Sequence, residues 1–439
     1  LRILSVQYIR GLRWRENTNL CHRRMVETVQ WREYQSDIIG RATNILKTKN
    51  FVYLAMEVRT GKTLTSLGIC EKMEAQNVLF LTKKKAVQSI SDDYDKLCPI
   101  RFSLFTINYE SMHKAPNLKW DIIICDEAHG LGAFPKPNKR AKAVRDLIIK
   151  TKAKVILLSG TPTPESYSQM YHQVYGIKGN PFTNFKNFYR FCDMFVDVKE
   201  RKINGLMIRD YSKGRQEILN AVKPFTISLT QKEAGFVTET TEEVLEVRML
   251  DTTYNLANKL KKDLVVEGED DVVLADTPVK LMMKLHQIYS GTVKFESGSS
   301  MIVDYSKAEF IKEHFKGKKI GIFYKFKEEL NALKKVFGDE LVTELSPFEQ
   351  TDKNIALQIV SGREGISLRH ADCLVYYNID FSATSYWQSK DRMTTKERLK
   401  NKVYWIFSKG GIEPDIYKAV TKKKDYTLRH FKRDLKCEK

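Results

Sequence analysis

Phe51-Val52-Tyr53-Leu54-Ala55-Met56-Glu57-Val58-Arg59-Thr60-Gly61-Lys62-Thr63 is the stretch whose reading decides the fold. Residues 51–55 are a short, continuous apolar run, which suits a strand buried on both faces of a parallel sheet. A polar turn follows and ends in Gly-Lys-Thr, and residues 63–73 then take helical spacing. Strand, loop and helix in that order form the setting in which backbone N–H groups at a helix start hold anionic phosphate. In such a loop Lys62 reaches the outer phosphates and the Thr63 hydroxyl ligates magnesium. The pattern G-x-x-x-x-G-K-[ST] fails at its first position, which is Met56. Taken alone, the segment also reads as an ordinary Gly-Lys-Thr turn.

The same rhythm recurs on either side. Residues 77–81, 121–125 and 154–158 are short apolar runs, and 140–149 has helical spacing. Asp126-Glu127-Ala128-His129 directly follows one run, and Ser159-Gly160-Thr161-Pro162 follows another. A carboxylate at a strand end is placed to hold magnesium, the role expected of Asp126, while Glu127 polarises an attacking water. His129 is positioned to sense the next motif. Alone, the acidic pair is equally an acidic helix N-terminus, and Ser-Gly-Thr-Pro an ordinary turn. Together, three such turns in one order, each after a strand, match the rule that open α/β sheets place ligand chemistry beyond the carboxyl ends of their strands. A second alternating region begins near residue 292, with strand candidates at 319–324, 355–360, 373–377 and 403–407.

Bulk properties agree. The 439 residues suggest two or three domains. With 42% hydrophobic and 29% charged residues, a packed core is expected and general disorder is not. No apolar run approaches the ~20 residues that span a bilayer, so no membrane partner is expected. The seven cysteines show no CxxC pair, which argues against a zinc site or disulfide framework. Net charge is +20, from 74 basic and 54 acidic residues, and such a field favours polyanions, nucleic acid first.

With these motifs in place, the chain resembles the superfamily 2 helicases, and within them the Swi/Snf-type DNA-dependent ATPases, from about Trp31 to Phe407. Arg32-Glu33-Tyr34-Gln35 resembles the adenine-reading segment, with Gln35 in the glutamine position. Residues 54–63 are similar to that family's phosphate loop, which implies nucleotide contacts from Arg59, Thr60, Gly61, Lys62 and Thr63. Leu81-Thr82-Lys83-Lys84 and Thr106-Ile107-Asn108-Tyr109-Glu110 resemble strand-end segments that face nucleic acid, which implicates Thr82, Lys83 and Asn108. Ser361-Gly362-Arg363-Glu364-Gly365 is similar to motif V, implying nucleic-acid contact by Ser361 and Arg363 and nucleotide contact by Gly365. Gln388-Ser389-Lys390-Asp391-Arg392 is similar to the start of motif VI, with Arg392 the catalytic arginine. His129, Ser159, Thr161 and Gln388 would couple nucleotide to track. Thr395 stands where the family carries a second arginine, and the next arginine is Arg398.

The expected architecture is α/β, with two RecA-like parallel-sheet lobes and a helical insertion between them. Its expected divisions are a basic arm (1–27), an ATP-binding lobe (28–176), a helical insertion (177–291), a second lobe (292–409) and a basic tail (410–439). Met25 reads as a natural start. The resemblance implies an ATP- and magnesium-dependent translocase or helicase, on DNA rather than RNA, in replication, recombination or repair. A phage or bacterial setting follows as an expectation, in the cytoplasm, the host's if phage-encoded. Two alternatives stay open: an RNA helicase, and a catalytically weak nucleic-acid-binding module, for which the missing second arginine speaks.

Overall fold

A computed structural model describes residues 13–15, 30–97, 100–203, 206–237, 239–268, 271–362, 366–394 and 400–422. The chain divides into two compact units, one ending at Gly235 and the other beginning at Phe236.

The first unit is built on one sheet. Its strands stand in the order Arg13–Arg15, Ser103–Asn108, Asn77–Thr82, Ile122–Cys125, Lys154–Ser159, Phe51–Met56 and Thr226–Leu229. The last six are mutually parallel, and Arg13–Arg15 pairs antiparallel at the edge. Both faces are covered, which is why these strands are continuous apolar runs rather than alternating ones. Every residue of Phe51–Met56 is 1% exposed or less. Side chains alternate between faces: Phe51, Tyr53, Leu79, Leu81, Ile123, Val155 and Leu157 meet the helix Lys139–Thr151 through Ala141, Val144 and Ile148. Val52, Leu54, Val78, Phe80, Ile124 and Ile156, on the opposite face, are buried as well. Phe182, Phe188 and Phe191 pack into the first cluster around Tyr171.

In the second unit the sheet order is Glu239–Val247, Lys400–Ser408, Cys373–Tyr376, Ile320–Tyr324, Asn354–Gln358 and Leu341–Val342, all parallel. One face packs Ile320, Ile322, Val375 and Ile406 under the helices Ser306–His314 and Lys327–Phe337. The other packs Phe323, Leu374, Tyr376 and Trp405 against Tyr386, Ile416 and Val420. The chain therefore has the expected α/β class, with two RecA-like units, each on a six-stranded parallel sheet.

The stretch 177–291 holds helices, among them Asp251–Asp263 and Pro278–Tyr289. It also supplies a strand to each sheet, Thr226–Leu229 to the first and Glu239–Val247 to the second, and the division between units falls inside it. Residue 360, read from sequence as strand, lies in the short helix Ile359–Gly362 that ends the preceding strand. Most of the expected basic arm and residues 423–439 of the tail lie outside the described residues.

Candidate nucleotide site

Because the six strands of the first sheet are parallel, their carboxyl ends share one edge. Along it, in sheet order, stand Asn108, Thr82, Asp126, Ser159 and the loop after Met56, followed by the turn after Leu229. Motifs separated in sequence become neighbours there.

The phosphate loop is shaped by two left-handed residues, Arg59 (φ 65°) and Gly61 (φ 82°). Arg59 has a side chain where glycine would be free of strain, a cost of order 1 kcal/mol. Gly61 is required for space as well: a Cβ there would lie 2.6 Å from the Gln35 Nε2 atom. It caps the helix Lys62–Lys72, whose first turn presents backbone donors. The Lys62 ammonium donates to the carbonyls of Met56 (3.0 Å) and Glu57 (3.4 Å). The first turn of the helix Glu33–Thr48 braces this loop. Gln35 is buried, accepts from the Arg32 N–H (3.2 Å) and donates to the Thr65 hydroxyl (3.4 Å). The Tyr34 hydroxyl donates to the Thr60 carbonyl (3.2 Å).

Asp126 sits at the end of Ile122–Cys125 and accepts a hydrogen bond from Thr82 Oγ1 (2.8 Å). Burial, and then the adjacent Glu127 carboxylate, push its carboxyl up to about 6, against the Thr82 bond and the Lys62 charge. Glu127 occupies the left-handed region (φ 49°). Its Oε2 lies 3.3 Å from His129 Nδ1, which is 2.9 Å from Ser159 Oγ. Ser159 Oγ in turn accepts from the Thr161 N–H (3.1 Å). The Ser-Gly-Thr-Pro turn closes on the phosphate loop, with a Cβ at Gly160 calculated to fall 3.3 Å from the Met56 carbonyl. An Asp126 carboxyl raised by burial and by the adjacent Glu127 charge, near Lys62, fits a divalent cation and a phosphate chain. Asp126 and Thr63 are the residues that would hold the cation, and it would supply charge neutralisation at the phosphates.

Several other expected residues have partners of their own. Thr82, expected at a nucleic-acid face, is fully buried, and its hydroxyl serves Asp126. Lys83 is half-buried in the turn just beyond, where Lys84 and Lys85 are exposed. The Asn108 amide donates to Glu110 (3.1 Å), which also takes Arg140 (2.5 Å). In the second unit Arg392 is 8% exposed and donates to the Ile366 carbonyl (3.3 Å) beside the motif V loop. Ser361 lies in the helix Ile359–Gly362 and Gln388 in Ala383–Lys390, whereas Arg363, Gly365, Thr395 and Arg398 lie outside the described residues. Sequence reading missed Tyr34, which stood beside Gln35 in the quoted segment. It also missed Tyr109, whose hydroxyl donates to the Asp126 carbonyl (2.6 Å).

Two parallel-sheet units, the first with the Gly-Lys-Thr loop, paired carboxylates and a Ser-Gly-Thr-Pro turn on a single edge, make this an α/β chain of two RecA-like units. Residues 77–292 match the family model of the SNF2-related domain, a span that includes Asp126–Glu127 and Ser159–Pro162. The chain is 20% identical over 372 residues to a CHD3-type chromatin-remodeling factor of Arabidopsis thaliana, covering 74% of this chain. It spans only 28% of that relative's length. Among solved structures it is similar to the Sulfolobus solfataricus SWI2/SNF2 ATPase core in complex with dsDNA, at 17% identity and a TM-score of 0.42, covering 93% of this chain and 95% of the other. The same core domain alone matches at 17% identity and a TM-score of 0.40, over 92% and 91% of the two chains. No helix of the described residues is long and apolar enough to cross a membrane.

Proposed function

We propose that the chain is a DNA-stimulated ATPase that translocates on DNA, using ATP and magnesium. The observation that carries this reading is the single edge on which Lys62, Asp126, Glu127 and Ser159 converge. Lys62 gives the phosphates a cation once it leaves the loop carbonyls. Asp126, kept in place by Thr82, is the carboxylate for magnesium. Glu127 orients the attacking water, and His129 carries its position to Ser159. Coupling then runs through the Ser159–Thr161 turn toward the neighbouring strand ends. Arg392 is proposed as the transition-state arginine. The +20 charge and the SNF2-related domain support DNA as the track. Work in replication, recombination or repair, in a bacterial or phage-infected cytoplasm, belongs to the same proposal.

The test is ATP turnover with no nucleic acid, single-stranded DNA, duplex DNA and RNA in parallel. Duplex DNA is expected to stimulate most, and Lys62→Ala to abolish turnover. Greater stimulation by RNA would replace DNA with RNA as the track. Turnover that survives in folded Lys62→Ala would remove the nucleotide site.

A further inference from the structure

Beyond its family motifs, the phosphate loop is tied to the far end of the first unit. Thr226–Leu229 lies against the loop's strand, with Met56 opposite Leu229. The Glu57 N–H donates to the Leu229 carbonyl (3.0 Å). Just past that strand, the Gln231 N–H donates to the Glu57 carboxylate (2.6 Å), and Gln231 Nε2 donates to the Val58 carbonyl (3.0 Å). Gln231 is itself held by a tight turn: Glu233 accepts from the Thr230 N–H (2.8 Å) and hydroxyl (2.9 Å), and the Ala234 N–H returns to the Thr230 carbonyl (3.0 Å).

A phosphate loop works when its amides turn toward the anion and its carbonyls turn away. Here the carbonyls are directed by named partners. Glu57 O takes the Thr60 hydroxyl (2.7 Å), and Val58 O takes Gln231. The loop also holds Arg59 in the left-handed region, a conformation that persists only where neighbours impose it. Glu57 and Val58, the residues just before Arg59, are the two that Gln231 grips. The first glycine of the usual pattern is replaced by Met56, so the loop's shape depends more on such outside bonds.

We infer that Gln231 and Glu57 form a clamp that positions the phosphate loop for nucleotide, with Gln231 acting from the segment that leaves the first unit. This rests on the nucleotide-site reading above and adds two residues to it. Neither touches the reacting atoms; both act through the main chain at 57–59.

The experiment uses the full chain and ADP as the probe, titrated by calorimetry without nucleic acid, followed by ATP turnover on duplex DNA. Gln231→Ala and Glu57→Ala should each weaken ADP binding about tenfold, the scale of losing a neutral and a charge-assisted hydrogen bond. Glu57→Gln, which keeps an acceptor, should recover most of the affinity. The double variant Glu57→Ala/Gln231→Ala should be no weaker than the worse single one, because both remove the same clamp. KM for ATP should rise while kcat stays near the parent value, and nucleotide-free melting should change little. Parent-like ADP affinity in the two folded alanine variants would overturn the clamp. So would losses that add in the double variant and track a lowered melting temperature. A parent chain that binds ADP but does not turn over ATP would sink the motor reading alone, and the ADP titration would still decide the clamp. A parent that binds no ADP would sink both.

Discussion

Asp126 and Glu127 are consecutive carboxylates with different surroundings, and the different tasks proposed for them rest on that difference. Asp126 is anchored by Thr82 and lies within reach of the Lys62 charge. Glu127 is turned by its left-handed backbone toward His129. Glu127→Gln keeps the shape and the proposed Asp126 cation site while removing the carboxylate proposed to orient water. Hydrolysis should fall by about 10²–10⁴ with nucleotide affinity nearly unchanged. Single-turnover ATP hydrolysis beside an ADP titration measures both. A variant that lost affinity and kept its rate would assign Glu127 to binding instead.

Among the elements, the strand Glu239–Val247 and the helix Ala383–Lys390 are joined by one partly buried carboxylate. Glu242 pairs with Lys390 and accepts from Tyr386 Oη (2.6 Å), Trp405 Nε1 (3.1 Å) and Tyr417 Oη (3.3 Å). Burial alone would raise the Glu242 carboxyl, but the Lys390 charge and these bonds hold it below the usual glutamate value. Because the folded value is depressed, its stabilisation is present above the unfolded value of 4.5 and is lost as pH falls through the folded value. Glu242→Gln should therefore cost about 1–2 kcal/mol at neutral pH, the scale of a partly buried ion pair. The gap to the parent should begin to narrow as pH falls below 4.5 and close only below the depressed folded value, where the parent glutamate is also neutral. Denaturant unfolding across that range is the measurement, and a gap constant with pH would mean the charge contributes nothing. The same pair fixes the end of the helix that leads to Arg392, so the variant also probes how firmly that arginine is held.

At the scale of the whole molecule the +20 charge is the dominant long-range property. If it tracks a phosphate backbone, DNA affinity should depend little on sequence and fall linearly in log–log form with salt. The slope on duplex DNA should be about −0.9 per phosphate neutralised. Binding isotherms at several salt concentrations check this, and a flat response would exclude backbone tracking.

The sequence by itself determined the parts of this molecule that are local. Apolar runs marked four strands of each sheet to within a few residues, because burial on two faces leaves a continuous signal. The phosphate loop, the 126–129 turn and Ser159–Pro162 were legible because each is contiguous and its place after a strand follows from chain order. Only the tertiary structure decided what joins those parts. Thr226–Leu229 enters the first sheet beside the phosphate-loop strand although residues 177–291 read as helical, since its partner strand lies far away in sequence. Thr82 belongs to Asp126 rather than to an open face, which strand order and not strand content determines. Gln231 grips a loop 174 residues earlier, and Glu242 meets Lys390 148 residues later. A hydrogen bond between residues so far apart imposes no periodicity and no local composition on either partner, so nothing short of the fold reveals it.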